Sequence, residues 1–321
     1  MKPLAIAAVC LALAGCAHAP MAEVGPPVAS AERLMADMTA LSSDAMEGRG
    51  FGQPGGAMAR DYIIDAFTEA GAAPLEGGWL LPFTAPASTR RPAAIDGANI
   101  AAVFRGSEQP DSWIVVTAHY DHEGVRDGQI YNGADDNASG TAALIELARL
   151  LRDHPPAHSV MLVALDGEEA GLLGAQAFVR DAPVPLDSIV LNINLDMIAR
   201  GDNGILWVVG TRQYPSLVAV VDALPQQTGI ERRYGHDDPA VRGRDNWVNL
   251  SDQAAFHQQG VPFVFFSVDD HPDYHQPTDD AERVDAAWYR GSVQTAWELL
   301  DAIDGMTAPS FRPVRAAGSK S

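Results

Sequence analysis

Cysteine is nearly absent from this sequence. The chain holds two, Cys10 and Cys16, and none between residues 17 and 321. A disulfide framework, thiolate metal sites and a cysteine nucleophile are thereby excluded from almost its whole length. Positive charge is scarce as well. Twenty-two Lys and Arg face 42 Asp and Glu, a formal net charge of −20. That balance argues against a nucleic acid as partner, because binding phosphates needs a cationic face. Beyond the first sixteen residues no apolar run is long enough to cross a bilayer. No internal repeat marks the chain as a solenoid.

What is present is an ordinary globular composition, 47% hydrophobic and 20% charged over 321 residues. That is enough chain for a sizeable core. The N-terminus reads as an export signal. Lys2 is followed by an apolar run over residues 4–13 that is too short to span a membrane. Leu13-Ala14-Gly15-Cys16 then resembles a bacterial lipobox. The resemblance implies a signal peptide over 1–15, removed before Cys16, and a lipoprotein whose Cys16 carries palmitate-type acyl chains. Residues 16–30, rich in Ala, Pro and Gly, are expected to be a flexible tether. Ala17 after the cysteine implies sorting to the outer membrane, facing the periplasm. The alternative is a plain cleaved signal and a secreted or periplasmic protein.

From residue 31 the hydrophobic pattern alternates. Helices are predicted over 31–41, 56–70, 142–151, 172–179, 216–227, 252–259 and 282–303. Strands are predicted over 99–104, 113–118, 159–165, 189–195, 205–209 and 261–268. Residues 72–98, with Pro74, Gly77, Gly78, Pro82, Pro86 and Pro92, read as loop. Residues 231–250 read as a polar loop. Strands alternating with helices predict an α/β three-layer sandwich, a mostly parallel mixed sheet with helices on both faces. One domain over 31–305 is expected, with a disordered tail over 306–321.

In such sheets, sites gather beyond the carboxyl ends of the strands. Five segments deliver imidazoles or carboxylates there. They are His119-Tyr120-Asp121, Asp135-Asp136 within a Gly-rich loop at 133–140, Glu168-Glu169, Asp196, and Tyr274-His275. Zinc takes His nitrogen and carboxylate oxygen, and a catalytic site keeps a position open. Two histidines and three carboxylates are too many for one open tetrahedral ion. They suit two metals about 3.5–4 Å apart, bridged by one carboxylate.

With those motifs in order, the chain resembles the aminopeptidase Y family of two-zinc metallopeptidases, which includes bacterial leucyl aminopeptidases and glutamate carboxypeptidase. The motifs are His119-Tyr120-Asp121, GADDNASG at 133–140, GEE at 167–169, NLDM at 194–197 and YHQPTDD at 274–280. Two further stretches match, EGRGFGQPGG at 47–56 and SDQAAFHQQGVPFVFFS at 251–267. The resemblance implies a zinc exopeptidase, most simply an aminopeptidase acting on apolar N-terminal residues of peptides, with two zinc ions; the oligomeric state is not set by it, and a monomer is the favoured expectation. His119 and Asp196 would hold one ion and Glu169 and His275 the other. Asp135 would bridge them, ahead of a cis Asp135–Asp136 bond. Asp121 would fix the second nitrogen of His119, Glu168 would be the general base, and Tyr274 would donate to the oxyanion. Met197 would line the first substrate pocket.

The protease-associated domain of some relatives has only residues 72–98 in its place and is expected to be absent. Arg242 and Arg244 are candidates for a substrate carboxylate, as a dipeptidase or carboxypeptidase would need. A glutaminyl-peptide cyclotransferase, using one zinc at the positions of Asp135, Glu169 and His275, is the alternative reaction.

Overall fold

The computed structural model describes residues 26–89 and 91–312. The expected signal segment with Cys10, the lipid-bearing Cys16, most of the tether and the last residues of the tail lie outside the described residues.

The strands are β1 (Ala73–Pro74), β2 (Leu80–Ala85), β3 (Ile95–Phe104), β4 (Gln109–His119), β5 (Gly124–Arg126), β6 (Gln129–Tyr131), β7 (His158–Leu165), β8 (Ile189–Leu195), β9 (Ile205–Val209), β10 (Glu231–Tyr234) and β11 (Phe263–Ser267). The helices are α1 (Ala31–Leu41), α2 (Pro54–Glu69), α3 (Gly140–Asp153), α4 (Leu173–Arg180), α5 (Val218–Ala223), α6 (Gln253–Gln258) and α7 (Ala286–Asp304).

Nine strands form one sheet in the order β1-β3-β7-β4-β8-β11-β9-β10, with β2 also on the outer edge of β3. The centre, β7-β4-β8-β11, is parallel. β3 and β9 join it antiparallel. Alternation along each central strand feeds two cores. Ile114 and Val116 pack with Leu34, Phe67, Leu144 and Leu300 of α1, α2, α3 and α7. Trp113 and Val115 pack with Phe178 and Phe256 of α4 and α6 on the other face. The expected three-layer α/β fold is therefore present. β7 and β11 are buried throughout, which accounts for the apolar runs 160–165 and 263–266 within them.

The local signals explain the helix boundaries. Ser30 caps α1 by accepting the N–H of Arg33, and Pro54 occupies the first turn of α2, where its missing N–H costs nothing. Asp285 caps α7 by accepting the N–H groups of Ala287 and Trp288. The expected helix start at 282 is instead a 3-10 turn, Ala281–Arg283.

Two expected loops contain strands. In 72–98, β2 pairs with Ile95–Ile100 despite Pro82. A proline is tolerated there because β2 is an edge strand with no partner on one side. In 231–250, Glu231–Tyr234 pairs in parallel with β9. Its Glu-Arg-Arg-Tyr sequence carries no apolar alternation because it is the outermost strand, and charge there guards the edge. The expected helix 216–227 shortens to α5 and a preceding 3-10 turn, with Pro225 just beyond its end. No helix among the described residues is long and apolar enough to cross a membrane.

Candidate metal centre

The ends of β4, β7, β8 and β11 open on one side of the sheet. β4 ends at His119, whose ring is buried. Its Nε2 lies 3.2 Å from Asp196 Oδ1, just beyond β8, and 3.4 Å from Asp136 Oδ1. The other oxygen of Asp136 lies 3.0 Å from His275 Nε2. The same nitrogen is 3.3 Å from Glu169 Oε1. One carboxylate thus faces two imidazole–carboxylate pairs, one with each oxygen.

This bridge is Asp136, and the expectation of Asp135 is corrected. The side chain of Asp135 turns away: Oδ1 accepts the N–H of Ala199 at 2.7 Å, and Oδ2 lies 3.2 Å from His271 Nε2. The cis peptide likewise lies one residue later, at Asp136–Asn137. The physical reason is local. Asp136 has φ −106 and ψ 94, outside the helical region, so consecutive side chains diverge. Asp279 fixes the arrangement by accepting the backbone N–H groups of Asp135 and Asp136, each at 3.1 Å.

Glu168 and Glu169 also diverge. Gly167, at φ +73, provides the turn, a conformation glycine adopts at little cost. Asp121 orients the pair. Its carboxylate accepts the N–H of Glu168 at 3.0 Å and of Glu169 at 3.4 Å. The expected bond from His119 Nδ1 goes instead to the backbone oxygen of Asp121, 3.0 Å away, with the carboxylate at 3.7 Å.

Charge is concentrated here. Burial, helped by Glu169, Asp196 and Asp252 and opposed by His119, pushes the Glu168 carboxyl well above its usual range. Against burial, Asp196, Asp121 and Asp136 raise the His119 imidazole. Against burial, Asp136 and Glu169 raise that of His275 to about 10. Each imidazole is thus placed to share a cation with carboxylates. Glu169 Oε1 and both nitrogens of His122 are buried without a hydrogen-bond partner. Orphaned buried donors among carboxylates fit a metal, and imidazole nitrogen with carboxylate oxygen is the donor set zinc takes.

Arg49, in the EGRG stretch, supplies the cation behind the site. Its fully buried guanidinium donates to the backbone oxygens of Tyr120, Leu41, Asn132 and Gly133 at 2.7–2.8 Å. It therefore ties the chain beyond His119 to the loop carrying Asp136. The sequence reading missed this role, and it missed His122, Asp252, His271 and Asp279. Arg49, Asp252 and Asp279 lie inside the stretches at 47–56, 251–267 and 274–280, and His122 follows His119-Tyr120-Asp121 directly, but no spacing assigned them a role.

Beside Asp196 lies a cavity of about 420 Å³, lined by Met197, His236, Trp247, Phe265 and Tyr274. Trp247 stacks on His236 with ring centroids 3.7 Å apart. Burial raises the Tyr274 hydroxyl, which keeps it a hydrogen-bond donor. Arg244 is 3.2 Å from Asp270 at the cavity mouth, and Arg242 is exposed. Met197 and His275 sit at φ 56 and 53, left-handed conformations of the kind that cluster at functional sites.

A model of Peptidase family M28 matches residues 99–300, more than half of the chain. The chain belongs to peptidase family M28. All the residues just described except Arg49 and its acceptor Leu41 lie within the matched span. A probable zinc metalloprotease of Leptosphaeria maculans is 36% identical over 128 residues, 38% of this chain and 30% of that protein. Aminopeptidase YwaD of Bacillus subtilis is 28% identical over 200 residues, 59% of this chain and 40% of YwaD. The matched regions cover 30% and 40% of these two relatives, well under half the length of either. Among solved structures, an Acidobacteriales bacterium glutaminyl cyclase superposes with TM-score 0.69 at 22% identity, over 90% of this chain and 99% of that one. That likeness concerns the fold.

Proposed function

We propose that this M28 protein is an aminopeptidase with two zinc ions per chain. His119 and Asp196 hold one, Glu169 and His275 the other, and Asp136 reaches both. The observation that carries this reading is Asp136, with its two oxygens 3.4 and 3.0 Å from His119 and His275. Zinc, when bound, supplies Lewis-acid polarisation of the scissile carbonyl and lowers the pKa of water toward neutrality. Glu168 takes the proton of the attacking water and returns it to the leaving amine. Asp121 holds the Glu168 backbone in place during that exchange. Tyr274 offers its hydroxyl to the developing oxyanion. Met197, Phe265 and Trp247 receive an apolar first side chain.

Carboxylate oxygens beside the scissile bond can accept hydrogen bonds from a free N-terminal ammonium group, which favours a substrate that brings one. With Arg244 engaged by Asp270, a carboxypeptidase has a weaker case. The test is one peptide with a free and with an acetylated N-terminus. A 10- to 100-fold loss of kcat/KM on acetylation is expected, from about 1–3 kcal/mol of unmatched polar groups. Equal cleavage, or cleavage inside a longer peptide, would reject the assignment. The fold likeness to a glutaminyl cyclase supports one alternative, which the release of ammonia from N-terminal Gln peptides by a one-zinc protein would establish.

The wider proposal is a lipoprotein anchored through Cys16 in the outer membrane and facing the periplasm. Residues 31–305 would be one monomeric catalytic unit acting on peptides.

A further inference from the structure

His122 has no place in the scheme above, yet its position is unusual. It is 2% exposed, and neither ring nitrogen has a hydrogen-bond partner. Its Nδ1 lies 3.0 Å from Glu169 Oε1 and 3.7 Å from Asp136 Oδ2. Glu169 Oε1 is itself buried and without a hydrogen-bond partner. Two buried polar atoms 3.0 Å apart, yet not aligned as donor and acceptor, are arranged like neighbouring ligands of one ion. Bonds of about 2.0–2.1 Å to a zinc place adjacent ligand atoms at such separations. The contacts of His275 Nε2 to Asp136 Oδ2 and Glu169 Oε1, 3.0 and 3.3 Å, have the same character.

The ring cannot easily turn elsewhere. A Cβ at Gly133 would meet its Cγ and Cδ2 at 2.5 Å, so the imidazole packs directly against that glycine. Gly133 has φ 56 and is tied to Arg49 through its carbonyl. The imidazole is thus packed against the loop that carries Asp136, with Nδ1 toward Glu169. Left unpaired, two buried nitrogens are costly, and a cation in reach of Nδ1 removes one of those costs.

We propose that His122 is a ligand of the metal centre, binding through Nδ1 the ion held by Glu169 and His275. This rests on the metallopeptidase reading. It predicts that the Glu169 side carries two imidazoles and the Asp196 side one, so the ions differ in affinity.

The test uses the full chain loaded with zinc. A crystal structure with anomalous data at the zinc edge should place His122 Nδ1 about 2.0–2.1 Å from the ion nearest Glu169. A separation above about 3 Å overturns the proposal. Zinc affinities of His122→Ala and His122→Asn, measured by chelator competition, give a second readout. The alanine variant should lose one zinc by about 100-fold or more while keeping the other, beyond the 10- to 100-fold typical of a residue that only orients a ligand. Unchanged affinity in both variants overturns the proposal. If a variant fails to fold, the wild-type distance decides. Wild-type protein that binds no zinc at all contradicts the metallopeptidase reading itself, a different outcome from two bound ions with His122 remote.

Discussion

The carboxylate of Asp121 accepts the backbone N–H of Glu168 at 3.0 Å while lying 3.7 Å from His119 Nδ1. One buried side chain therefore sets the position of Glu168, the proposed general base, and touches the surroundings of His119, a proposed zinc ligand. Asp121→Asn keeps the shape and removes the charge. It should lower kcat/KM by roughly 10- to 100-fold, the usual effect of residues behind metal ligands. Steady-state kinetics at equal zinc content measures this, and unchanged kinetics would show that Asp121 is dispensable.

Glu168→Gln should retain its metals and lose about 10²- to 10⁴-fold in kcat, the contribution of a positioned proton-transfer group. Zinc analysis alongside turnover separates this from metal loss. Turnover near wild type would assign the proton transfer to another residue.

The neighbouring aspartates should behave differently. Asp136→Asn should lose bound zinc, because its oxygens face both imidazoles. Asp135→Asn should keep zinc and lower the Tm, because it weakens the buried partner of Ala199 and His271, a change of about 1–3 kcal/mol. Zinc content that falls in the Asp135 variant and not in the Asp136 variant would reverse the assignment.

That pair also shows what the sequence could convey. The strands ending at His119, Leu165 and Leu195 were legible from their predominantly apolar runs, and so was the gathering of imidazoles and carboxylates at one sheet edge. Which of two adjacent aspartates turns inward was not legible, because it depends on the backbone at Asp136 and on Asp279, 143 residues away. Edge strands β2 and β10 were hidden for another reason: with one side unpaired they need neither alternation nor freedom from proline. His122 left only its position beside Asp121 as a signal, and its burial comes from packing on Gly133.

Asp252 offers a pH-dependent test. It is buried, and neither oxygen has a hydrogen-bond partner. Burial, against His119 and aided by Asp196 and Asp121, pushes its carboxyl up to about 8. The folded value lies above the unfolded one of about 3.9. Its contribution to stability is therefore full below about pH 4 and is lost as pH rises toward 8. Denaturant unfolding of metal-free protein should show a flatter decline over that window in Asp252→Asn than in wild type. Parallel curves would contradict the shift.

Cys16→Ser should abolish membrane association or block maturation, since stable anchoring needs more than one acyl chain on that residue. Fractionation of cells expressing the full chain checks this. Membrane association that survives the replacement would rule out the lipid anchor.

The most direct test of the central claim is the zinc content of the active protein. Elemental analysis of full-length protein purified without chelator should give about two zinc ions per chain, with activity rising as the second ion binds. Full activity with one ion or fewer would contradict a centre in which Asp136 serves two metals.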